Sequence, residues 1–213
     1  MLADEEEIIW SHGRTGFCTL EKVRHMLQLV VQEKPNLCVE VGVYGGRSLF
    51  PMAYGCHKNG RGQVHAIDSW SNADSSDGEQ GAYAETWKTH DFESKYQEFI
   101  RDAERPPYDK IVKTFRVNHL NVVDSYGSES IGFFHEDGNH SPKIVNESLV
   151  RWLPKLMVDG IFVWDDPGWA DNSKLVHNVH NNYGLLLLEQ APGYHVMRKV
   201  KHIEHLNRVH DVP

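Results

Sequence analysis

The sequence predicts an α/β domain on a doubly wound, mostly parallel sheet of seven strands, with an antiparallel pair at its C-terminal end. Three observations predict it. Short apolar runs of strand length alternate with amphipathic stretches of helical period, the pattern of βα units. Four of the first five apolar runs end in glycine or aspartate, the residue types found where parallel strands present a ligand at their carboxyl ends. The last two runs, Leu185–Gln190 and Tyr194–Val200, are joined only by Ala191-Pro192-Gly193, a connection that suits an antiparallel hairpin.

Each element has a local reason. Thr19 to Glu33 carries Leu20, Val23, Met26, Leu27, Val30 and Val31 at helical spacing, with Thr19 as N-cap and Pro35-Asn36 as the stop. Leu37 to Val43 is the first strand, running into Gly42, Gly45 and Gly46, and Ser48 to Tyr54 begins the next helix. Val64 to Ile67 is the second strand and ends at Asp68. Ser69 to Thr89 is polar and dotted with Trp70, Tyr83 and Trp87, which predicts a long loop; residues 69–90 are expected to cover a substrate. Asp91 to Ala103 is helical until Pro106-Pro107. Ile111–Val117, Ile131–Phe134 and Ile161–Trp164 are the third, fourth and fifth strands. Ser141-Pro142 starts a helix, serine as N-cap and proline in the first turn. Asn172 to Tyr183 reads as a helix.

Composition narrows the class of function. A chain of 213 residues can bury one sizeable core, so residues 1–213 form one domain, with 1–16 as an N-terminal extension and 201–213 as a His-rich tail. Lys plus Arg number 22 against 30 Asp plus Glu, a net −8 that disfavours a duplex nucleic-acid surface. No apolar run approaches the ~20 residues of a membrane span. The acidic start, MLADEEE, does not look like a secretory leader, and Cys18, Cys38 and Cys56 are too scattered for a disulfide framework. The expectation is a cytoplasmic protein with no nucleic-acid or membrane partner; a homo-oligomer is left open.

The chemistry lies at the strand ends. Glu40-Val41-Gly42-Val43-Tyr44-Gly45-Gly46-Arg47-Ser48 is a glycine-rich βα turn. It lacks the spacing of a dinucleotide fingerprint and the Lys-Ser/Thr of a phosphate loop, and Glu40 would repel a diphosphate but attract an ammonium. Asp68, at the end of strand two, can accept two ribose hydroxyls. A nucleoside with a cationic, phosphate-free tail satisfies both acids, and S-adenosylmethionine is such a molecule. An ordinary tight turn uses the same glycines, so this motif alone decides nothing. Asp137, Asp165 and Asp166 follow neighbouring strands; gathered together they need a cation, and all-oxygen ligands suit Mg²⁺, Ca²⁺ or Mn²⁺. The competing reading is that Asp137-Gly138 and Asp165-Asp166-Pro167 are turn residues only. His140, three residues after Asp137, can take a proton from a hydroxyl held there.

Taken together, CVEVGVYGGRSLFPMA, GQVHAIDSWS, GFFHEDGNHS and WLPKLMVDGIFVWDD resemble the class I S-adenosylmethionine-dependent methyltransferases, and most closely the sugar O-methyltransferases related to macrocin O-methyltransferase. The likeness runs from about Phe17 to about Val200. It implies a Rossmann-like fold and an O-methyltransferase acting on a hydroxyl of a sugar or glycoside. It implies that Glu40, Gly42, Tyr44, Gly46, Ser48, Asp68 and Ser69 hold S-adenosylmethionine. It further implies that Asp137, Asp165 and Asp166 bind a divalent cation, magnesium first among candidates, and that His140 is the base with Asp137 beside it. The acceptor is then a small molecule or a glycan. The chain departs from the family at Glu136, where an aliphatic residue is usual, and at Pro142, where tyrosine is common. Glu136 either adds a metal or substrate contact or points away. Three rivals remain: a Mg²⁺-dependent nucleotide or phosphate enzyme on the same kind of sheet, a methyltransferase fold that has lost catalysis and only binds, and a metal-independent methyltransferase.

Overall fold

A computed structural model of the chain describes residues 14–169 and 183–202, together with Trp10, Leu175 and Val179. Apart from Leu175 and Val179, the helix anticipated over Asn172–Tyr183 lies almost wholly outside the described residues, as does the His-rich tail from 203 onward.

The elements run α1 (Leu20–Glu33), β1 (Leu37–Val41), α2 (Leu49–Asn59), β2 (Gln63–Asp68), α3 (Asn72–Ser76), α4 (Gly81–Thr89), α5 (Phe92–Ala103) and β3 (Val112–Arg116). They continue with α6 (His119–Val122), β4 (Ile131–Glu136), α7 (Pro142–Trp152), β5 (Leu156–Asp165), β6 (Leu185–Ala191) and β7 (Tyr194–Lys199). Thr19 caps α1, its hydroxyl accepting from the Lys22 amide at 3.2 Å. Pro142 stands in the first turn of α7, where its missing N–H costs nothing.

The sheet order is β3-β2-β1-β4-β5-β7-β6. The first five strands are parallel, while β7 is antiparallel to both β5 and β6. Strand alternation sends successive side chains to opposite faces. Phe133 joins Met26, Phe50 and Phe99 on one face; Phe134 joins Val39, Trp152 and Phe162 on the other. Both faces are therefore covered, as parallel sheets require. The order reverses between β1 and β4, so the carboxyl ends of these two strands open the crevice where doubly wound sheets bind ligands.

Three features differ from expectation. Residues 69–90 are not an irregular loop but contain α3 and α4. Their sequence shows no apolar stripe because only Ala84 of these two helices is buried. Side-chain amides hold the segment instead. Asn72 Nδ2 donates to the carbonyls of Trp87 and His90 at 2.7 and 2.8 Å, and Asn139 Nδ2 donates to those of Asp74 and Asp77 at 3.0 and 2.8 Å. Second, β5 begins at Leu156, because a register shift opposite Ile131 and Phe133 and a left-handed Asp159 (φ 65°) let the strand pass Asp159-Gly160. Third, the short α6 escaped notice; Asn118 caps it, accepting from Leu120 N at 3.0 Å. Cys18, Cys38 and Cys56 are free thiols. Among the described residues no helix is long and apolar enough to cross a membrane.

Candidate active site

The switch point is tightly built. The Gly42 amide donates to Ile67 O at 3.0 Å and the Asp137 amide to Val41 O at 2.9 Å, so the loops after β1, β2 and β4 are laced together. Gly42 has φ 82°, and a Cβ there would lie 1.8 Å from the Asp137 carbonyl oxygen. Only glycine permits this approach. A cavity of about 430 Å³ opens beside it. Gly42, Tyr44, Ser48, Asp68 and Ser69 line one part, and Asp137, His140, Asp165 and Asp166 line another. Residues spread over 125 positions of sequence thus face a single space.

In the first part, Asp68 does more than the sequence implied. Its Oδ2 accepts from the amides of Val43 and Tyr44, each at 2.9 Å, and its Oδ1 from the Trp70 amide at 2.7 Å. Burial raises its pKa and these three amides oppose the rise. The carboxylate ties the glycine turn to the end of β2; Oδ2 is filled by its two amides, and Oδ1 keeps one lone pair for a further donor. Two of the anticipated cofactor residues, Glu40 and Gly46, do not line the cavity. Glu40 is fully buried and does not line the cavity; its Oε1 accepts from the Ser48 hydroxyl, which does. Burial lifts the Glu40 carboxyl to about 8 against the opposing pull of Ser48 and Lys22. Gly46 also lies off the cavity. At φ 84°, it lets the turn fold over Phe50, whose ring would be 2.5 Å from a Cβ.

In the second part, the anticipated three-carboxylate cluster takes another form. One ligand atom from each of Asp137, His140 and Asp165 lies within 4.8 Å of the others, and Asp166 is not of that group. Asp166 is turned by a left-handed φ of 43°, its amide donating to Gly193 O at 2.6 Å at the tip of the β6–β7 hairpin. The cation beside Asp137 and Asp165 is Lys22. Its Nζ bonds Asp165 Oδ1 and lies 3.5 Å from Asp137 Oδ2. Burial alone would lower the Lys22 pKa, but Asp137 and Asp165 outweigh it and raise it. Burial and the neighbouring Asp165 push Asp137 up. With an ammonium already on these oxygens, a divalent ion at Asp137, His140 and Asp165 would have to compete with Lys22 for the same carboxylates. Glu136 is buried and points away, its Oε2 accepting from Ser148 Oγ on α7.

His140 is fixed by its backbone, whose amide donates to Glu79 Oε1 at 3.0 Å. Its ring lies 5.9 Å from Trp169, and Trp169 lies 5.0 Å from Tyr83. An aromatic wall therefore stands beside the candidate base. Beneath the site, buried His135 lies 3.3 Å from Glu40 and 3.7 Å from Asp137, and burial drives its pKa well down, keeping it neutral.

Sequence reasoning missed Lys22, Asn139, Glu79 and His135. Lys22 was detectable: it stands four residues before Met26 and eight before Val30, on the apolar face of α1, where a charge needs a partner. His135 follows Phe133 and Phe134 in a strand buried throughout, and nothing local marks it. Glu79 meets His140 only through the fold.

Comparison with known proteins agrees with this geometry. Residues 39–167, well over half of the chain, match a family model described as a methyltransferase domain. No curated protein sequence matches. Among solved structures, a Podospora anserina methyltransferase bound to S-adenosylhomocysteine is similar, with a TM-score of 0.61 and 15% identity over 94% of this chain and 89% of that one. An O-methyltransferase described as putative, from Klebsiella pneumoniae, gives 0.63 and 14% over 93% and 88%. A Streptomyces achromogenes O-methyltransferase involved in tomaymycin synthesis, in complex with S-adenosylmethionine, gives 0.62 and 13% over 87% and 82%. Identities this low speak to the fold.

Proposed function

The chain belongs to the methyltransferase domain family, and from that premise we propose that it is an S-adenosylmethionine-dependent O-methyltransferase acting on a hydroxyl of a sugar or glycoside. The observation that carries the reading is the single cavity that joins the glycine turn and Asp68 to His140. When bound, S-adenosylmethionine supplies an electrophilic methyl group. The residues present suit it: a turn that only glycine can close, an acid at the end of β2 whose Oδ1 can accept one more donor, and no phosphate loop. Tyr44, Ser48 and Ser69 complete that wall, while Glu40 acts at one remove by fixing the Ser48 hydroxyl.

His140 takes the proton of the acceptor hydroxyl and holds it on its ring. The backbone bond to Glu79 and the Asn139 bonds to residues 74 and 77 fix the loop that carries it. Tyr83 and Trp169 offer aromatic faces that suit the C–H surface of a sugar ring. Positioning and preorganised charge supply the acceleration. The phosphate-enzyme reading is not favoured, because the turn after β1 lacks the Lys-Ser/Thr of a phosphate loop.

The test combines binding and turnover. S-adenosylhomocysteine should bind wild type and His140→Ala equally in calorimetry. Transfer of labelled methyl to sugars and glycosides should fall about 10²–10⁴-fold in the variant. Absence of binding to wild type would overturn the cofactor assignment, and label passing only to catechols would overturn the acceptor class. Unchanged turnover in His140→Ala would remove it as the base.

A further inference from the structure

We propose that Lys22 is the resident cation of this site: its ammonium stands where a divalent metal ion would neutralise Asp137 and Asp165, so the chain neither binds nor needs that ion there. The catalytic consequence rests on the methyltransferase reading above; the metal-binding consequence does not.

Lysine is almost never this buried without a charged partner, and Lys22 is only 4% exposed. It is delivered by the first turn of a capped helix, so its backbone is fixed rather than wandering. Its Nζ reaches one carboxylate from the end of β4 and one from the end of β5, adjacent parallel strands. The Tyr194 ring on β7 lies 5.5 Å from the ammonium, a face that attracts a cation. Three different strands therefore converge on one lysine head. Asp166, the third anticipated metal ligand, lines the same cavity but is not in the group of Asp137, His140 and Asp165.

An ammonium has three donors. Two are directed to carboxylates, and the third is available to an oxygen in the cavity that Lys22 lines. An acceptor hydroxyl bound there has a donor in Lys22 and a proton acceptor in His140, whose ring lies within 4.8 Å of the same carboxylates. Lys22 thus takes over the positioning of the acceptor oxygen that a metal would provide.

The experiment is Mn²⁺ titration followed by the electron paramagnetic resonance signal of the free ion. Wild type and Lys22→Arg should leave the signal unchanged. Lys22→Met and Lys22→Gln should each bind one Mn²⁺ per chain, at least about tenfold more tightly than wild type, and should gain thermal stability from it. Adding Asp165→Asn to Lys22→Met should abolish the gain. Stoichiometric Mn²⁺ binding by wild type would overturn the proposal, as would folded Lys22→Met and Lys22→Gln proteins that bind no better than wild type. If Lys22→Met does not fold, Lys22→Gln and the wild-type titration decide it. S-adenosylhomocysteine calorimetry on the same samples separates the two readings. Lost cofactor binding with the metal pattern intact removes the methyltransferase reading and leaves the cation assignment standing.

Discussion

His119 shows how a single side chain couples this fold to pH. Trp152 Nε1 donates to its Nδ1 at 3.1 Å, so that nitrogen must stay unprotonated in the native state. Burial, helped by the Arg151 charge, lowers its pKa to about 4. In the unfolded chain the ring titrates near the ordinary histidine value of about 6.5. Between these values the unfolded state binds the extra proton, so native stability falls as pH drops from about 6.5 to 4. His119→Gln retains an acceptor but does not titrate. Its stability relative to wild type should improve as pH falls across that window by about 3 kcal/mol, measured by urea unfolding at successive pH values. A difference that stays flat with pH would show that His119 does not set it. His119 was invisible in the sequence as a half-buried hydrogen-bond acceptor, because its partner is 33 residues away and on another helix.

Among the elements, α1 carries the most consequence for the site. Its apolar stripe was legible from spacing alone, and so was its cap. The cap now has a second meaning, because the amide it satisfies belongs to Lys22. Thr19→Ala should cost about 1 kcal/mol, read as a fall of about 2–4 °C in melting temperature. If the melting temperature is unchanged, the cap does not hold the first turn. The α3–α4 segment is the opposite case. Its residues are polar and its helices short, and their order comes from Asn72 and Asn139 bonding to distant carbonyls. Such helices have no period to find. Of the N-terminal strands, β2 ended at Asp68 as expected, whereas β1 ends at Val41, two residues short of the Val43 read from the sequence, because Gly42 already takes a left-handed turn.

At the scale of the whole molecule, the cavity draws on loops after β1, β2, β4 and β5, so a ligand filling it bridges both halves of the sheet. S-adenosylhomocysteine at a hundredfold excess over its dissociation constant should stabilise the protein by about 2.7 kcal/mol, seen as a concentration-dependent rise in melting temperature. A melting temperature that ignores the ligand would count against the cavity as its site.

The sequence by itself determined the alternation of elements, the strand ends and the residue types at them. These are set by local periodicity, capping and turn chemistry, each acting over a few neighbours. It also placed Asp137 and His140 together, since only Gly138 and Asn139 separate them. Only the tertiary structure decided which groups meet. It left Glu40 and Gly46 off the cavity and Asp166 outside the group of Asp137, His140 and Asp165. It also brought Lys22 across 143 residues to Asp165. The physical reason is range: hydrogen bonds within a turn follow from chain geometry, whereas the neutralisation of a buried charge depends on whichever opposite charge the packing of distant elements delivers.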